Sequence, residues 1–429
     1  MPVGGWRKRC SLVAVAALGW GCLGDGGPDA GSGVSAEVTA ASASPQASKA
    51  STVTAAEALE LAAPIALRPG EGVPVRLATR PRAAFSGEVH RQLLAELGYV
   101  ASDPAALLVA RQGAAYLHLA EGEFDVWLDG RMPYDEVWLA GLRFDGSRVG
   151  DHVTVLAGWR QADAVAGWLI GKTFADQHGV FSLDALNRDP AAVAAFDSTD
   201  AVPGNGKADI LAYPEGTIPG EIAAAQASFS DWGNIAIAHL GSEEYFSLHE
   251  RFADAIARGE PMIAVASTPS QLVGLLRPGL DVYWLGIEDF LDDSNPLGHP
   301  QGELFSQWTR GFDGTGGHAP FSADECPSVA DDPQGLCPLG WVASTRTVAV
   351  RSEFSAANPA AVTLFDVVFV PAADVSQALA READGSDPAD LAAEWIAANR
   401  DAVDGWLVAA RAAALRPGTA EARPLAAGR

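Results

Sequence analysis

The chain has 429 residues, of which 48% are hydrophobic and 19% charged, a composition that excludes intrinsic disorder over most of its length and gives room for two separate cores. A formal net charge of -25 opposes nucleic-acid binding, which depends on neutralising phosphates with Lys and Arg.

Arg7, Lys8 and Arg9 precede an apolar run from Ser11 to Trp20 that is too short to span a bilayer as a mature helix, so residues 1–22 read as a signal peptide. Cys22 follows a small residue, as at a lipoprotein cleavage site, which makes it the candidate lipid-attachment residue. Gly19 and Trp20 fit that pattern poorly, and ordinary signal cleavage nearby is the alternative. The Gly-, Ser-, Ala-, Thr- and Pro-rich stretch that follows cannot bury enough apolar surface to offset its chain entropy, and residues 23–71 read as a flexible tether. No later segment is long and apolar enough to cross a membrane.

From residue 72 the pattern changes. Pro74 to Thr79 predicts a short strand, Phe85 to Leu97 a helix stopped by Gly98, Ala115 to Leu119 a second helix, and Phe124 to Leu128 the next strand. This β-α-β rhythm predicts a parallel sheet with helices on its faces. It continues with strands at Trp168–Ile170, Ile210–Tyr213, Ile235–Ile237, Met262–Ala266 and Val282–Leu285, and a helix over Glu244–Arg258 capped by Gly259. Residues 293–338 read as an irregular excursion. Val342–Val350 returns as a strand, and helices at Ala360–Phe365, Asp374–Arg381 and Pro388–Ala414 follow, the last broken near Asp401, before a tail at 415–429.

Of the four cysteines, Cys10 and Cys22 lie in or at the end of the signal segment, and Cys326 and Cys337 stand close together in a Pro/Gly/Asp-rich loop. In an exported chain the second pair predicts a disulfide; zinc is the lesser reading, with only His318 near. Ala166 to Thr173 nearly matches a phosphate-binding loop, but Ala166 replaces the first required glycine and an apolar strand fills the cradle. Asp197, Asp200, Asn205 and Asp209 lack the alternation of a calcium loop and read as an Asx-rich turn. No H-E-x-x-H, G-x-S-x-G or nucleophile-with-base pattern is present, so no enzyme, metal or cofactor is expected.

L-L-A-E-L-G-Y at 93–99, L-A-E-G-E-F-D-V at 119–126, G-W-L-I-G-K at 167–172, A-D-Q at 175–177, S-L-D-A-L at 182–186, A-A-F-D at 194–197, G-N-G-K-A-D at 204–209, R-G-E-P at 258–261, N-P-A-A at 358–361 and D-G-W at 404–406 carry a resemblance. In order and spacing the body resembles the periplasmic substrate-binding proteins of ABC importers for glycine betaine, proline betaine and related osmoprotectants. The resemblance implies a two-lobed α/β periplasmic binding protein fold (type II), with ligand in a cleft between lobes joined by a hinge. Lobe one would take residues 72–160 and 345–414, and lobe two 161–344. The implied partners are a small-molecule solute and an ABC permease in the cytoplasmic membrane, with membrane contact through the N-terminal lipid anchor.

Proteins of that family typically hold the quaternary ammonium in a tryptophan cage, since a methylated cation donates no hydrogen bonds and aromatic faces supply the attraction. Here the three corresponding positions carry Arg131, Thr217 and the first residue of Ser267-Thr268-Pro269. A guanidinium is repelled by a trimethylammonium, so the expected cleft favours a polar or anionic solute, lined by Arg131, Thr217, Ser267 and Thr268 with Arg80, Phe85 and Trp341. The competing expectation is a betaine-like ligand, with Arg131 in solvent and a cage rebuilt from Trp127, Trp138, Tyr213 or Trp341. A further alternative is a sensory or scaffolding lipoprotein that keeps the fold without feeding a transporter.

Overall fold

The computed structural model describes residues 67–80, 84–104, 112–156, 164–200, 202–241, 244, 247–311, 314 and 316–415. The expected signal segment, Cys22, most of the expected tether and nearly all of the tail lie outside them.

Lobe one begins with the short strands β1 (Pro74–Val75), β2 (Leu77–Ala78) and β3 (Val100–Ala101), followed by β4 (Val126–Met132) and β5 (Val153–Leu156). Lobe two holds β6 (Ala166–Gly171), β7 (Ala208–Ala212), β8 (Ile235–His239), β9 (Ile263–Ser267) and β10 (Val282–Leu285), and then the small hairpin-like pair β11 (His318–Ala319) and β12 (Cys337–Pro338). β13 (Thr345–Arg351) returns to lobe one. The lobe-one sheet runs β2-β4-β13-β5 and the lobe-two sheet β10-β6-β9-β7-β8. Each lobe builds its own apolar core: Phe85, Leu93, Val126, Val350 and Phe365 in the first, and Trp168, Ile210, Ile263 and Leu285 in the second.

The sheets are mixed, which corrects the parallel expectation. β2 and β4 are parallel, but β13 runs antiparallel to both β4 and β5. In lobe two β7 is parallel to β8 and β9, whereas β6 is antiparallel to β9 and β10. The β-α-β rhythm reports only local connections; β13 and β6 are the strands that pair after the chain changes lobe. Strands β7 and β10 are buried along their whole length; β10 reads as a continuous apolar run, and β7 does so apart from Asp209, whose carboxylate accepts Val202 N–H.

Three further differences concern boundaries. The body is held from residue 67: Gly70 packs beneath the Tyr99 ring and Arg411 Nε donates to the Leu67 carbonyl at 3.1 Å. β5 is a strand the periodicity missed. The excursion over 293–338 is not irregular throughout, because Gly302–Arg310 is a helix that buries Phe305, Ser306, Trp308 and Thr309. The rest of that segment is laid on lobe two by Trp284 N–H to Glu325 O (2.9 Å) and Ile287 N–H to Pro338 O (2.8 Å), and Cys326 and Cys337 are joined in a buried disulfide.

Family-like motifs turn out to be structural. Ser182 caps the helix Leu183–Arg188 by accepting from Ala185 N–H, and Asp184 within it accepts Trp232 Nε1–H and Glu288 N–H, each at 2.8 Å. The final helices are Pro388–Ala398 and Arg400–Ala414, broken at Asn399 beside the expected position.

The lobes meet in two ways. The chain enters lobe two at Ala164 and leaves it through Ser344, and these two residues form an antiparallel bridge with N–H···O distances of 3.2 and 2.7 Å. Away from this crossing, the helix Ala372–Ala383 of the C-terminal region packs on the short helix Gln271–Leu275 of lobe two. Ser376 Oγ accepts Ser270 N–H at 3.1 Å and donates to the Ala372 carbonyl at 2.8 Å. Gly274 makes that approach possible, since a Cβ there would collide with the Ser376 carbonyl oxygen. Among the described residues no single helix is long and apolar enough to cross a membrane.

Candidate solute-binding cleft

Arg131 lies at the end of β4, where the chain leaves the sheet through a cis peptide bond between Met132 and Pro133. The β4–β13 register sets Arg131 directly opposite Arg346 and Gly130 opposite Thr347. At Gly130 a Cβ would strike the Thr347 and Tyr116 hydroxyls, so glycine is what lets these strands and the Tyr116 ring close up beneath the site. Two residues before Arg131, Asp129 is gripped by Arg80 through Nε and Nη2, the latter at 2.9 Å from Oδ1. Burial alone would raise the Asp129 pKa; Arg80, with Arg131 and Arg346 beyond it, reverses this and holds the carboxyl below its usual range. Asp135 accepts the Arg131 backbone N–H at 2.7 Å and the Tyr116 hydroxyl at 2.9 Å.

The Arg131 side chain is half-buried. Its Nε is sealed from water and has no hydrogen-bond partner. Burial, with Arg80 and Arg346, lowers its pKa against the opposing pull of Asp129 and of Tyr213. Tyr213 follows β7 in lobe two, so Arg131 lies within reach of both lobes. Tyr134, three residues after Arg131, crosses to lobe two as well. Its ring meets Trp308 edge-on with centroids 5.6 Å apart, and its hydroxyl donates to the Val342 carbonyl. Burial raises the Tyr134 pKa, with Arg131 opposing and Tyr213 adding to it.

The remaining expected site residues are placed less simply. The Thr217 hydroxyl donates to the Pro214 carbonyl at 2.6 Å and accepts Gly220 N–H at 3.3 Å, capping the helix Ile218–Phe229. Thr268 is buried and its Oγ1 accepts Val165 N–H at 3.0 Å, beside a cis peptide bond to Pro269; Ser267 ends β9 half-buried, opposite Ala166. Phe85 is a correction: its side chain is 1% exposed inside the lobe-one core, because it starts the apolar stripe of the helix Ala84–Glu96. Trp341 is buried in the lobe-two core against Trp168, 5.9 Å between centroids, and Trp127 is fully buried in lobe one. Arg80, the helix-capping Thr217 and Thr268 on Val165 N–H are therefore held by the frame, while Phe85 and Trp341 serve the cores.

Sequence reading missed Asp129 and Arg346. A signal for Arg346 was present: it is the single charge within the apolar strand sequence V-A-S-T-R-T-V-A-V, and a charge there must have a partner or a ligand. The near phosphate loop is strand β6 running into the helix Lys172–His178, with Lys172 Nζ on Asp176 at 2.9 Å and over the Tyr283 ring. Asp197, Asp200, Asn205 and Asp209 bond to the turn around them: Gly206 N–H to Asp197, Asp209 N–H to Asp200 and Val202 N–H to Asp209. Among the described residues no group of three or more His, Cys, Asp or Glu could hold a metal ion.

Two α/β lobes, joined by paired crossings and meeting around Arg131, define a bilobal solute-binding protein. The family described as the substrate-binding domain of ABC-type glycine betaine transport systems matches residues 78–398, and the chain belongs to that family. The glycine betaine-binding periplasmic protein OusX of Dickeya dadantii is 26% identical over 356 residues, covering 81% of this chain and 92% of that protein. The glycine betaine/proline betaine-binding periplasmic protein of Escherichia coli K12 is 26% identical over 362 residues, covering 80% and 92%. Among solved structures, a choline-binding ABC-transporter protein in complex with choline covers 80% of this chain and 96% of its own at 15% identity and a TM-score of 0.48. Lactococcal OpuAC with glycine betaine covers 78% and 99% at 14% identity and a TM-score of 0.46.

Proposed function

We propose that this protein is the extracytoplasmic solute-binding component of an ABC importer, working in the periplasm or cell envelope. It would capture a small molecule between its lobes and deliver it to a permease in the cytoplasmic membrane, tethered by a lipid on Cys22. Family membership supports the solute-binding role, and relatives named as periplasmic proteins support the compartment. The signal-like segment ending at Cys22 supports the anchor.

The cleft would favour a polar or anionic solute over a betaine. The observation that carries this is Arg131: a half-buried guanidinium with its Nε sealed from water stands where the resemblance expects an aromatic ring. Arg131 would be the charge partner of the solute. Arg80 would act through Asp129, and Ser267, Thr268 and Thr217 would shape the lobe-two wall. Bound solute would favour the closed arrangement of the lobes through contacts made only there.

Titration calorimetry of the mature protein with glycine betaine, proline betaine and choline tests the preference. Micromolar binding of any of the three would sink it and leave the solute-binding role intact. A thermal-shift screen of metabolites tests the role itself, because a ligand that binds only the folded state raises the melting temperature by mass action.

A further inference from the structure

Tyr134 is a lobe-one residue seated on lobe two. It follows β4 on the turn that leaves the lobe-one sheet, yet its ring packs against the lobe-two core and meets Trp308 edge-on, with centroids 5.6 Å apart. Its hydroxyl donates to the Val342 carbonyl and lies 3.4 Å from the Trp308 carbonyl. These two acceptors mark a seam. Val342 N–H donates to the Trp308 carbonyl at 2.8 Å, which ties the helix Gly302–Arg310 to the segment that leaves lobe two through Ser344. The phenol thus grips lobe two beside the crossing between the lobes.

The same turn carries Arg131, and it is closed on itself. Asp135 N–H donates to the Arg131 carbonyl at 2.9 Å, Arg131 N–H donates to the Asp135 carboxylate at 2.7 Å, and Glu136 N–H donates to the Pro133 carbonyl at 3.0 Å. Bonds this dense over one short turn leave little freedom between Arg131 and Tyr134, so a displacement of one is carried to the other. Ser344 pairs with Ala164, and Val165 beside it exchanges hydrogen bonds with Thr268, so the Ser270–Ser376 contact lies across the crossing from Tyr134. Tyr134 differs from that contact in holding a cleft residue and lobe two at once.

Building on the solute-binding reading, we propose that Tyr134 is a positioning residue, the latch that holds lobe two closed on Arg131. Seated, it keeps the lobes together and Arg131 at the cleft; released, it lets the lobes part and takes Arg131 with it. A solute that meets Arg131 only in the seated arrangement then draws the population toward closure by its differential affinity for the two states. Tyrosine suits the task, because its ring buries against an apolar wall while its hydroxyl finishes on backbone acceptors. Phenylalanine would keep the ring contact and lose the donor.

The separation of the lobes can be read by pulsed electron paramagnetic resonance on the mature full chain with no solute added. Spin labels go on Ala402→Cys in the helix Arg400–Ala414 and on Ser228→Cys in the helix Ile218–Phe229, exposed positions in lobe one and lobe two, with Cys22→Ser to keep the labels there. Tyr134→Phe should raise the fraction of long distances about fivefold, and Tyr134→Ala should raise it further. Leu93→Ala, a truncation deep in the lobe-one core, should lower the melting temperature and leave the distances as they are. Tyr134→Phe carries the test should Tyr134→Ala fail to fold. Unchanged distances in the Tyr134 variants, or an equal shift in Leu93→Ala, overturn the latch. Because no solute is present, this outcome is separate from that of the calorimetry and the thermal-shift screen, which test the solute-binding reading.

Discussion

Arg131 on β4 and Arg346 on β13 are paired partners in the lobe-one sheet, two like charges set directly opposite each other with Asp129 two residues away on β4. Such a pair is held in place by the surrounding fold and not by mutual attraction.

Removing one member of the pair should therefore stabilise the ligand-free protein. Arg131→Met keeps the side-chain volume roughly and removes the repulsion with Arg346 and Arg80, so urea unfolding should show a gain of about 1 kcal/mol. A loss of stability would show that Arg131 is paid back by its neighbours more fully than the geometry indicates.

Asp129 should behave in the opposite way. Asp129→Asn leaves Arg80, Arg131 and Arg346 facing one another with less compensation. The expected cost is about 2 kcal/mol by urea unfolding, below the value for a fully buried pair because Arg80 retains 29% of its side-chain surface in water. An unchanged midpoint would mean that solvent screens the cluster.

Acidification acts through His90. Its Nδ1 lies 2.7 Å from the Ser86 carbonyl, its ring faces Phe365, and burial, aided by Arg346, lowers its pKa to about 4. An unfolded histidine titrates near about 6.5, so the unfolded state binds the proton first as pH falls. Stability is then complete above that pH and declines as pH drops toward 4, by about 3 kcal/mol in total from this group. Melting temperatures of the wild type and of His90→Gln, compared between pH 7 and pH 4.5, should converge on acidification; parallel curves would remove His90 as the cause.

The contact between the helices Gln271–Leu275 and Ala372–Ala383 leaves no space at Gly274. Gly274→Ala should cost about 2 kcal/mol through overpacking and should separate the two helices. Small-angle scattering would register the change as a larger radius of gyration at unchanged secondary structure. Identical scattering and melting would show that the contact yields without effect.

The disulfide closes a loop with a sequence separation of 11 between Cys326 and Cys337. Replacing both by serine should lower stability by about 3 kcal/mol in the chain-entropy description. The loss should appear in the urea midpoint of the lobe-two tryptophan signal, since Trp284 takes its backbone partner from Glu325 beside Cys326. No shift under oxidising conditions would mean that packing alone holds the segment.

Most of the longer helices and strands are legible in the chain, because they follow from spacing a few residues long; β5 and the helix Gly302–Arg310 are not. Ser182 and Thr217 cap helices from within their own turns, and the apolar stripes starting at Phe85 and Leu248 identify their helices. The resemblance alone sets the expectation that Arg131 occupies an aromatic position of the family. The helix Gly302–Arg310 was hidden because its surroundings are rich in Pro, Gly and Asp, and its burial of Phe305 and Trp308 depends on the lobe it covers. The direction of β13 and β6 belongs to the tertiary fold, and with it the placing of Arg346 opposite Arg131. Arg346 reaches Arg131 through antiparallel pairing between strands separated by the whole of lobe two, and Asp129 is claimed by Arg80 across the β2–β4 edge. Pairing of that kind is set by where cores bury their surfaces, not by any local pattern.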